Sequence, residues 1–220
     1  MRKRNLVVAI DGPAGAGKST VAQLAAKKLE YTYIDTGAMY RAVAWRSLRA
    51  GAPLTDEKIL RALEDIDVLL SYEDGKTRVF VNGEDVTKEI RTPEVSAVVS
   101  RVAAMGEVRA KLVELQRKMA VHGAVLMDGR DIATNVLPNA DVKIFLTASI
   151  EERAARRWKE LKEKGYDTSF EEVKSDIAKR DKADSEREIS PLVQAEDAEL
   201  LDTTGMTIEE VVAAILKRCE

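Results

Sequence analysis

Residues 12–19 read Gly-Pro-Ala-Gly-Ala-Gly-Lys-Ser, which is the G-x-x-x-x-G-K-[ST] pattern of a phosphate-binding loop. The apolar run at residues 6–10 predicts the strand that such a loop leaves, and a helix is expected to start near Lys18. The glycines allow successive backbone N–H groups to turn inward around phosphate oxygens, at the positive end of the helix dipole. The stretch therefore predicts a strand–loop–helix unit that binds a nucleoside triphosphate.

The loop residues have separable tasks. Lys18 is expected to reach the β- and γ-phosphates as a point charge. The Ser19 hydroxyl, with Thr20 as a second hydroxyl, is expected to coordinate the Mg²⁺ that accompanies a triphosphate. The predicted triphosphate-binding set is Gly12, Pro13, Ala14, Gly15, Ala16, Gly17, Lys18, Ser19 and Thr20.

Composition limits the class of protein. The chain has 220 residues, 45% of them hydrophobic and 33% charged, so it can bury a full core. The 35 Lys and Arg against 38 Asp and Glu give a net charge of −3, without a global basic field for nucleic acid. No apolar run approaches the ~18 residues that span a bilayer, and the single cysteine, Cys219, excludes an intrachain disulfide. We expect a monomer in the cytoplasm, without nucleic-acid or membrane partners.

Short apolar strands alternate with helix-start signals along the chain. Strands are expected at residues 6–10, 31–34, 124–127, 142–146 and 199–201. This alternation predicts parallel strands joined by right-handed crossovers, with ligands at their carboxyl ends. The predicted fold is therefore α/β, a five-stranded parallel sheet flanked by helices.

Several helix boundaries also carry local signals. Capping-box spacing occurs at Ser149 with Glu152, Thr168 with Glu171, and Thr207 with Glu210, and Thr92 precedes Pro93 at a favoured first-turn position. Gly106 and Gly165 are expected to end helices. These signals predict where the crossover helices begin and stop.

One segment departs from the alternation. Residues 68–72, 77–81 and 84–86 are β-type stretches, separated by residues 73–76 and by Asn82-Gly83. Asn-Gly is a strong hairpin signal. We predict a small antiparallel insert at about residues 66–90, inside a lobe at 36–122 of a single domain that spans 1–220.

Polar residues follow two of the predicted core strands. The second strand leads into Asp35-Thr36-Gly37 and then Tyr40 and Arg41. Arg41 could grip a second phosphate bidentately, and the alternative is a solvated arginine on a helix face. The third strand leads into Asp128-Gly129-Arg130-Asp131, where P-loop proteins place a carboxylate facing Mg²⁺ or its waters. Asp128 is the candidate for that task.

Residues 150–187 are dense in charge of both signs, with eleven basic and eleven acidic side chains. That balance argues against a nucleic-acid tract. Two helices joined through residues 165–167 predict a hinged lid that excludes water and brings arginines over the phosphates. Arg157, Arg180 and Arg187 are the favoured arginines, and a surface ion pair is the alternative for each.

Taken in order, these motifs resemble those of the bacterial cytidylate kinases, over nearly the whole chain. The resemblance rests on residues 12–20, Asp35-Thr36-Gly37, Tyr40-Arg41, residues 89–95 and 128–131, and Arg180-Asp181 through Arg187. It implies a nucleoside monophosphate kinase fold and a reaction in which ATP and CMP or dCMP, with Mg²⁺, give ADP and the diphosphate.

The resemblance also implies individual roles. Ser100, Arg109 and Asp131 would contact cytosine; Arg41, Arg130 and Arg187 the monophosphate; Arg180 and Asp184 the sugar; Thr36 and Tyr40 complete the CMP site. Lys18, Arg130, Arg157 and Arg187 would be catalytic through charge neutralisation. Because cytosine offers an amino donor where uracil has a carbonyl, we expect CMP to be preferred to UMP.

Two other functions are compatible with the loop. One is a different small-molecule P-loop kinase, acting on AMP, UMP or shikimate. The other is a nucleotide-dependent switch that hydrolyses or merely binds its triphosphate.

Overall fold

The computed structural model describes residues 5–73 and 76–220. The basic start at residues 1–4 and the centre of the predicted turn, Asp74-Gly75, lie outside the described residues. Strands and helices form as follows. The strands are β1 (Val7–Asp11), β2 (Thr32–Asp35), β3 (Val68–Glu73), β4 (Lys76–Val81), β5 (Glu84–Asp85), β6 (Val125–Asp128), β7 (Val142–Thr147) and β8 (Glu199–Asp202). The α-helices are α1 (Lys18–Leu29), α2 (Thr36–Arg49), α3 (Asp56–Glu64), α4 (Pro93–Ala104), α5 (Gly106–Ala120), α6 (Ile150–Glu163), α7 (Phe170–Glu186) and α8 (Ile208–Arg218).

The predicted five-stranded parallel sheet is confirmed. Its strand order is β2-β6-β1-β7-β8, and β1 lies between β6 and β7 with parallel pairing on both sides. Four of these strands, β1, β2, β6 and β8, extend beyond the predicted bounds to end on an aspartate. The ladder therefore fixes the backbone of acidic residues at the carboxyl ends, where parallel sheets bind ligands.

The chain folds into two compact units. The sheet unit comprises Met1–Tyr33 with His122–Glu220, and the insert unit comprises Ile34–Val121. In the sheet unit, Val8 and Ile10 of β1 pack with Ala22 of α1 and Ile215 of α8 in one buried cluster. Full burial of such side chains stabilises the fold by about 1.5–3 kcal/mol each for the larger ones. The phosphate-binding loop thus leaves a strand that is paired along both edges and packed by helices on the face of Val8 and Ile10.

The insert unit has a core of its own. Met39 of α2, Val99 of α4 and Leu112 of α5 pack with Val79 of β4. The strands β3, β4 and β5 form the predicted antiparallel sheet, with Val68 opposite Val81. Asn82 and Gly83 adopt φ values of 51° and 81°, as a type I′ turn between β4 and β5 requires.

The helix ends agree with the sequence signals at some positions only. Thr207 forms its full capping box with Glu210, whereas α7 is capped by Ser169 with Glu172, one residue later than predicted. A helix does end at the predicted stop beside Gly106, but extended backbone at Met105 ends α4 and Gly106 itself begins α5. The sequence spacing is compatible with capping at either of two neighbouring residues, and the residue that caps the helix depends on how the helix packs.

The helices α6 and α7 pack as a pair in the sheet unit. Ala154 of α6 contacts Val173 and Ile177 of α7 in a small buried cluster, and an exposed ion pair, Glu151 with Lys174 at 2.9 Å, joins the two helices. The predicted connection through residue 165 is present, with Gly165 at φ 82°. No helix in the described part of the chain has the length and apolar composition to cross a bilayer.

Candidate active site

The phosphate-binding loop bends from β1 into α1. Gly12 has φ 149°, and a β-carbon at this position would overlap the carbonyl oxygen of Leu146. Gly17 caps α1 without any side-chain hydrogen bond, and the first turn of the helix carries no acidic residue. The N–H groups at the start of α1 therefore remain available to an anion.

Lys18 is buried beneath this loop. Its Nζ donates hydrogen bonds to the carbonyl oxygens of Gly12 and Pro13, both at 2.8 Å. Burial, followed by the positive charge of Arg130, lowers the pKa of Lys18 well below its usual value, and Arg180 acts in the same direction. A cation in this position gains stabilisation from an anion that enters the loop.

A serine, an aspartate and a tyrosine meet beside the loop. The Ser19 hydroxyl donates to Asp128 Oδ2 at 3.1 Å, and the Tyr33 hydroxyl donates to Asp128 Oδ1 at 2.7 Å. Thr20, the second predicted hydroxyl, is exposed. Ser19 and Asp128 supply hard oxygen ligands of the kind that Mg²⁺ takes, while phosphates and water usually complete its octahedron. Among the described residues there is no group of three or more acidic, histidine or cysteine side chains for a metal. The oxygens of Ser19 and Asp128 fit a metal whose other ligands would come from a triphosphate and water.

Arginines and a carboxylate lie near Lys18 in the sheet unit. Arg130 Nε donates to Asp184 Oδ2 at 2.8 Å, and Arg180 Nε lies 4.0 Å from the same oxygen. Burial alone raises the pKa of Asp184, but the charges of Arg130, Arg180 and Arg187 bring it below its usual value. Burial, followed by the charge of Arg130, lowers the pKa of Arg180 to about 10. The Asp184 carboxylate thus interacts electrostatically with three arginines.

Asp131 and Arg187 form a second ion pair in this unit. Arg187 Nη2 donates to Asp131 Oδ1 at 3.4 Å, and both side chains are buried. Asn135 Nδ2 donates to the other carboxylate oxygen at 3.1 Å. Residues predicted from distant segments therefore form ion pairs in the sheet unit. Asp184 contacts Arg130 and Arg180, and Asp131 contacts Arg187.

The remaining predicted acceptor residues lie in the insert unit. Thr36, Tyr40 and Arg41 are on α2, Ser100 is on α4, and Arg109 is on α5. The Arg109 guanidinium lies over the Tyr40 ring, 5.6 Å from its centroid. Arg41 is not a solvated arginine, because its Nη1 donates to the Ile90 carbonyl at 3.2 Å and to Ser96 Oγ at 2.9 Å.

The basic residues of α6 divide differently from the prediction. Arg157 pairs with Glu160 at 2.8 Å on its own helix, which is the surface-ion-pair alternative. Arg153 and Arg156, which were not selected, contact the loop: Arg153 donates to the Ala14 carbonyl at 2.9 Å and Arg156 to the Ala16 carbonyl at 3.4 Å. Their spacing of three residues on one helix face was the available signal.

Asp11, at the end of β1, is another residue that the sequence did not single out. Its two carboxylate oxygens accept the backbone N–H groups of Ile132 and Ala133 at 2.9 and 2.8 Å. It thereby ties β1 to the π-helical turn Ile132–Val136 that follows Asp131. Its position at the end of a core strand, like that of Asp128 at the end of β6, was the signal for it.

The buried carboxyl group of Asp11 makes the free energy of unfolding depend on pH. Burial raises the pKa of Asp11 from 3.8 to about 6, against the lowering effect of its two N–H donors. The folded state therefore binds more protons than the unfolded state between these values, so this side chain's contribution to stability falls as pH rises. Two pKa units correspond to about 3 kcal/mol. Urea unfolding between pH 4 and 7 should show the wild-type protein losing stability relative to Asp11→Asn as pH rises. Parallel curves for the two proteins would contradict the assignment.

The fold and this site define a P-loop protein that binds a nucleoside triphosphate. A structural likeness at low sequence identity agrees on the fold: an uncharacterised protein from Eubacterium ventriosum has a TM-score of 0.54 at 11% identity, over 97% of each chain. Residues 8–220 match the family model for cytidylate kinase. The cytidylate kinase of Carboxydothermus hydrogenoformans is 57% identical over 211 residues, 96% of this chain and 95% of the relative. That of Bacillus subtilis is 53% identical over 220 residues, 99% and 98% of the two chains. The chain belongs to the cytidylate kinase family, and so to the nucleoside monophosphate kinases, which are transferases.

Proposed function

We propose that the protein transfers the γ-phosphoryl group of ATP to CMP, and also to dCMP, forming ADP and the diphosphate. The observation that carries this proposal is the group of cations beside the phosphate-binding loop, in which Lys18 is buried and Arg130 and Arg180 are partly buried. The charges of Arg130 and Arg180 lower the pKa of Lys18, and the charge of Arg130 lowers the pKa of Arg180, so entering anions would stabilise the group. Two phosphorylated substrates would supply that charge.

The donor would lie in the loop. Its phosphates would accept backbone N–H groups from Gly15 onward, at the start of α1, where no side chain caps the helix. Ser19 and Asp128 would hold Mg²⁺, with Asp128 acting directly or through water. The metal would supply positive charge against the triphosphate oxygens.

The acceptor would be bound by the other predicted site residues. We assign the monophosphate to Arg41, Arg130 and Arg187, the sugar to Arg180 and Asp184, and the base to Ser100, Arg109 and Asp131, with Thr36 and Tyr40 completing the set. Arg130 and Arg187 already face carboxylates, so an incoming phosphate would replace or share those ion pairs.

Phosphoryl transfer of this kind needs no general base, because the attacking group is an ionised phosphate. Lys18, Arg130, Arg157 and Arg187 would neutralise the charge that spreads over the transferred group. Residues 150–187 would act as the lid, and Arg157 would exchange Glu160 for phosphate when the lid closes. Closure would also exclude water and so limit hydrolysis.

We also propose that the protein acts as a monomer in the cytoplasm, with nucleotides as its partners and without nucleic acid or membrane. A net charge of −3 supports the absence of a nucleic-acid partner. Burial raises the pKa of the Cys219 thiol to about 11, which leaves it unreactive as a single thiol.

The test of the proposed function is an acceptor panel with ATP: CMP, dCMP, UMP, AMP and shikimate, each followed by ADP formation. We expect CMP and dCMP to be turned over fastest, and ADP formation to depend on the acceptor. Slow ADP release that is unaffected by CMP would identify a hydrolase or switch, and equal turnover of UMP and CMP would contradict the base assignment.

Asp131 provides a sharper test of base recognition. As a carboxylate it accepts from the cytosine amino group but faces a carbonyl oxygen in uracil, a mismatch of about 1–3 kcal/mol. In Asp131→Ala the ratio of kcat/KM for CMP over UMP should therefore fall about tenfold or more. Asp131→Asn, whose amide can donate to uracil, should favour UMP further. Since Arg187 loses its partner with either nucleotide, the ratio is the informative quantity, and an unchanged ratio would remove Asp131 from the base site.

A further inference from the structure

One residue of the phosphate-binding loop, Ala14, has both of its backbone polar groups held by side chains of the helical pair. The Ala14 carbonyl accepts from Arg153 Nη1 at 2.9 Å, and the Ala14 N–H donates to Asp181 Oδ1 at 3.1 Å. Arg153 and Asp181 are themselves joined at 2.5 Å. We call this closed set of three contacts the Ala14 clamp.

Arg153 is also held by a contact outside the clamp. Arg153 Nε donates to the Ala148 carbonyl at 3.0 Å, and only 8% of the Arg153 side chain is exposed. Asp181 is 24% exposed. Beside the clamp, a β-carbon on Gly15 would lie 3.3 Å from both Arg153 Cβ and Ile177 Cδ1. The helices α6 and α7 therefore pack directly against the loop at two successive residues.

The clamp differs in charge from the cations of the catalytic site. Arg153 and Asp181 neutralise each other, so the pair adds no net attraction for phosphate. It also occupies the Ala14 N–H, which leaves the N–H groups from Gly15 onward for an anion. We therefore expect it to act on a triphosphate through the conformation of the loop, while the charge of Asp181 also raises the pKa of Arg180 against the lowering effect of burial.

We propose that Arg153 and Asp181 are positioning residues for the triphosphate, holding the two peptide units on either side of the Ala14 Cα so that the following loop N–H groups converge on the phosphates. The inference rests on the proposed function of the loop as the ATP site. Pre-organisation of this kind makes the free energy of binding more favourable, because the loop does not have to be ordered when the nucleotide enters. A displaced Ala14 carbonyl would turn the Gly15 N–H, which shares its peptide plane, away from its target.

The proposal is tested by nucleotide affinity rather than by turnover. Titration calorimetry with ATP alone and with CMP alone would be applied to the wild-type protein, Asp181→Asn, Asp181→Ala and Arg153→Lys. We expect the Kd for ATP to rise about tenfold in the Asp181 variants, the size expected for losing one charge-assisted hydrogen bond. The Kd for CMP should stay within about threefold. Arg153→Lys keeps the charge but loses the planar guanidinium group. Its affinity for ATP should therefore lie between those of the wild type and the Asp181 variants.

The chain contains a matched control. Glu151 and Lys174 join the same two helices through an exposed pair that does not touch the loop, and Glu151→Gln should leave the ATP affinity unchanged. Because Asp181 is partly exposed, its variants should fold even if Arg153→Lys does not. The proposal is overturned if both Asp181 variants bind ATP as the wild type does, or if ATP and CMP affinities fall in equal proportion. Failure of the wild-type protein to bind ATP would instead overturn the proposed function.

Discussion

Lys18→Ala should lower kcat by about 10³-fold with every acceptor, which is the scale of losing a charge that stabilises a transferred phosphate. Lys18 is the cation buried under the loop, with its ammonium group on the Gly12 and Pro13 carbonyls. The backbone N–H groups would still bind the triphosphate, so the loss should be larger in kcat than in the KM for ATP. Steady-state kinetics with CMP and with UMP measures both quantities.

The same substitution should not destabilise the protein in the absence of nucleotide. Burial and neighbouring arginines lower the pKa of Lys18, so its charge opposes folding near neutral pH, and its removal relieves that cost. Lys18→Met, which keeps the bulk, should melt at or above the wild-type temperature and be equally inactive. Lys28→Ala, at the exposed end of the same helix, is the control and should be fully active. Turnover of Lys18→Met within about threefold of wild type would remove the lysine from the mechanism.

Asp128→Asn should lower kcat by about 10²-fold and raise the Mg²⁺ concentration needed for half-maximal rate. The substitution conserves shape but removes the negative charge from the carboxyl group that Ser19 and Tyr33 contact at 3.1 and 2.7 Å. A neutral amide is a weaker ligand for a hard dication. The measurement is the rate at saturating ATP and CMP as a function of Mg²⁺ concentration.

Two variants separate the charge of Asp128 from its orientation. Tyr33→Phe removes one hydrogen bond to the carboxylate and should lower kcat by only about threefold, since the charge remains. Asp141→Asn alters a carboxylate that accepts the Val7 N–H at 2.8 Å elsewhere in the sheet unit, and its metal dependence should be unchanged. An unaltered Mg²⁺ dependence in Asp128→Asn would contradict the assignment of this residue to the metal.

Sequence spacing predicted most of the fold because the relevant signals are local. The five core strands, the hairpin at Asn82-Gly83 and the loop at residues 12–19 each depend on the backbone preferences of a few adjacent residues. The boundaries were less accurate. Aspartates such as Asp11 and Asp128 were placed after their strands because aspartate is unfavourable in isolated strands, whereas parallel pairing and specific donors hold them in the sheet.

The candidate site was predictable where a residue is tied to the loop by topology. Asp128 followed from its position at the end of a core strand, and the structure brings it to Ser19. The lid arginines were not predictable in the same way. Arg157 was selected and pairs with Glu160, while Arg153 was passed over and contacts the loop. The spacing of Arg153 and Arg156 places them on one helix face, but the sequence does not show that this face meets the loop.

The sequence by itself determined that a triphosphate-binding loop follows a strand of a parallel sheet, because the glycines of the motif permit backbone conformations, such as φ 149° at Gly12, that other residues rarely adopt. Only the tertiary structure decided which charges serve that loop. Arg153, Asp181 and Ala14 are 28 to 167 residues apart in the chain, and their contacts exist because α6 and α7 pack on Gly15. The energy of a buried ion pair depends on its geometry and desolvation, and both are properties of the folded chain.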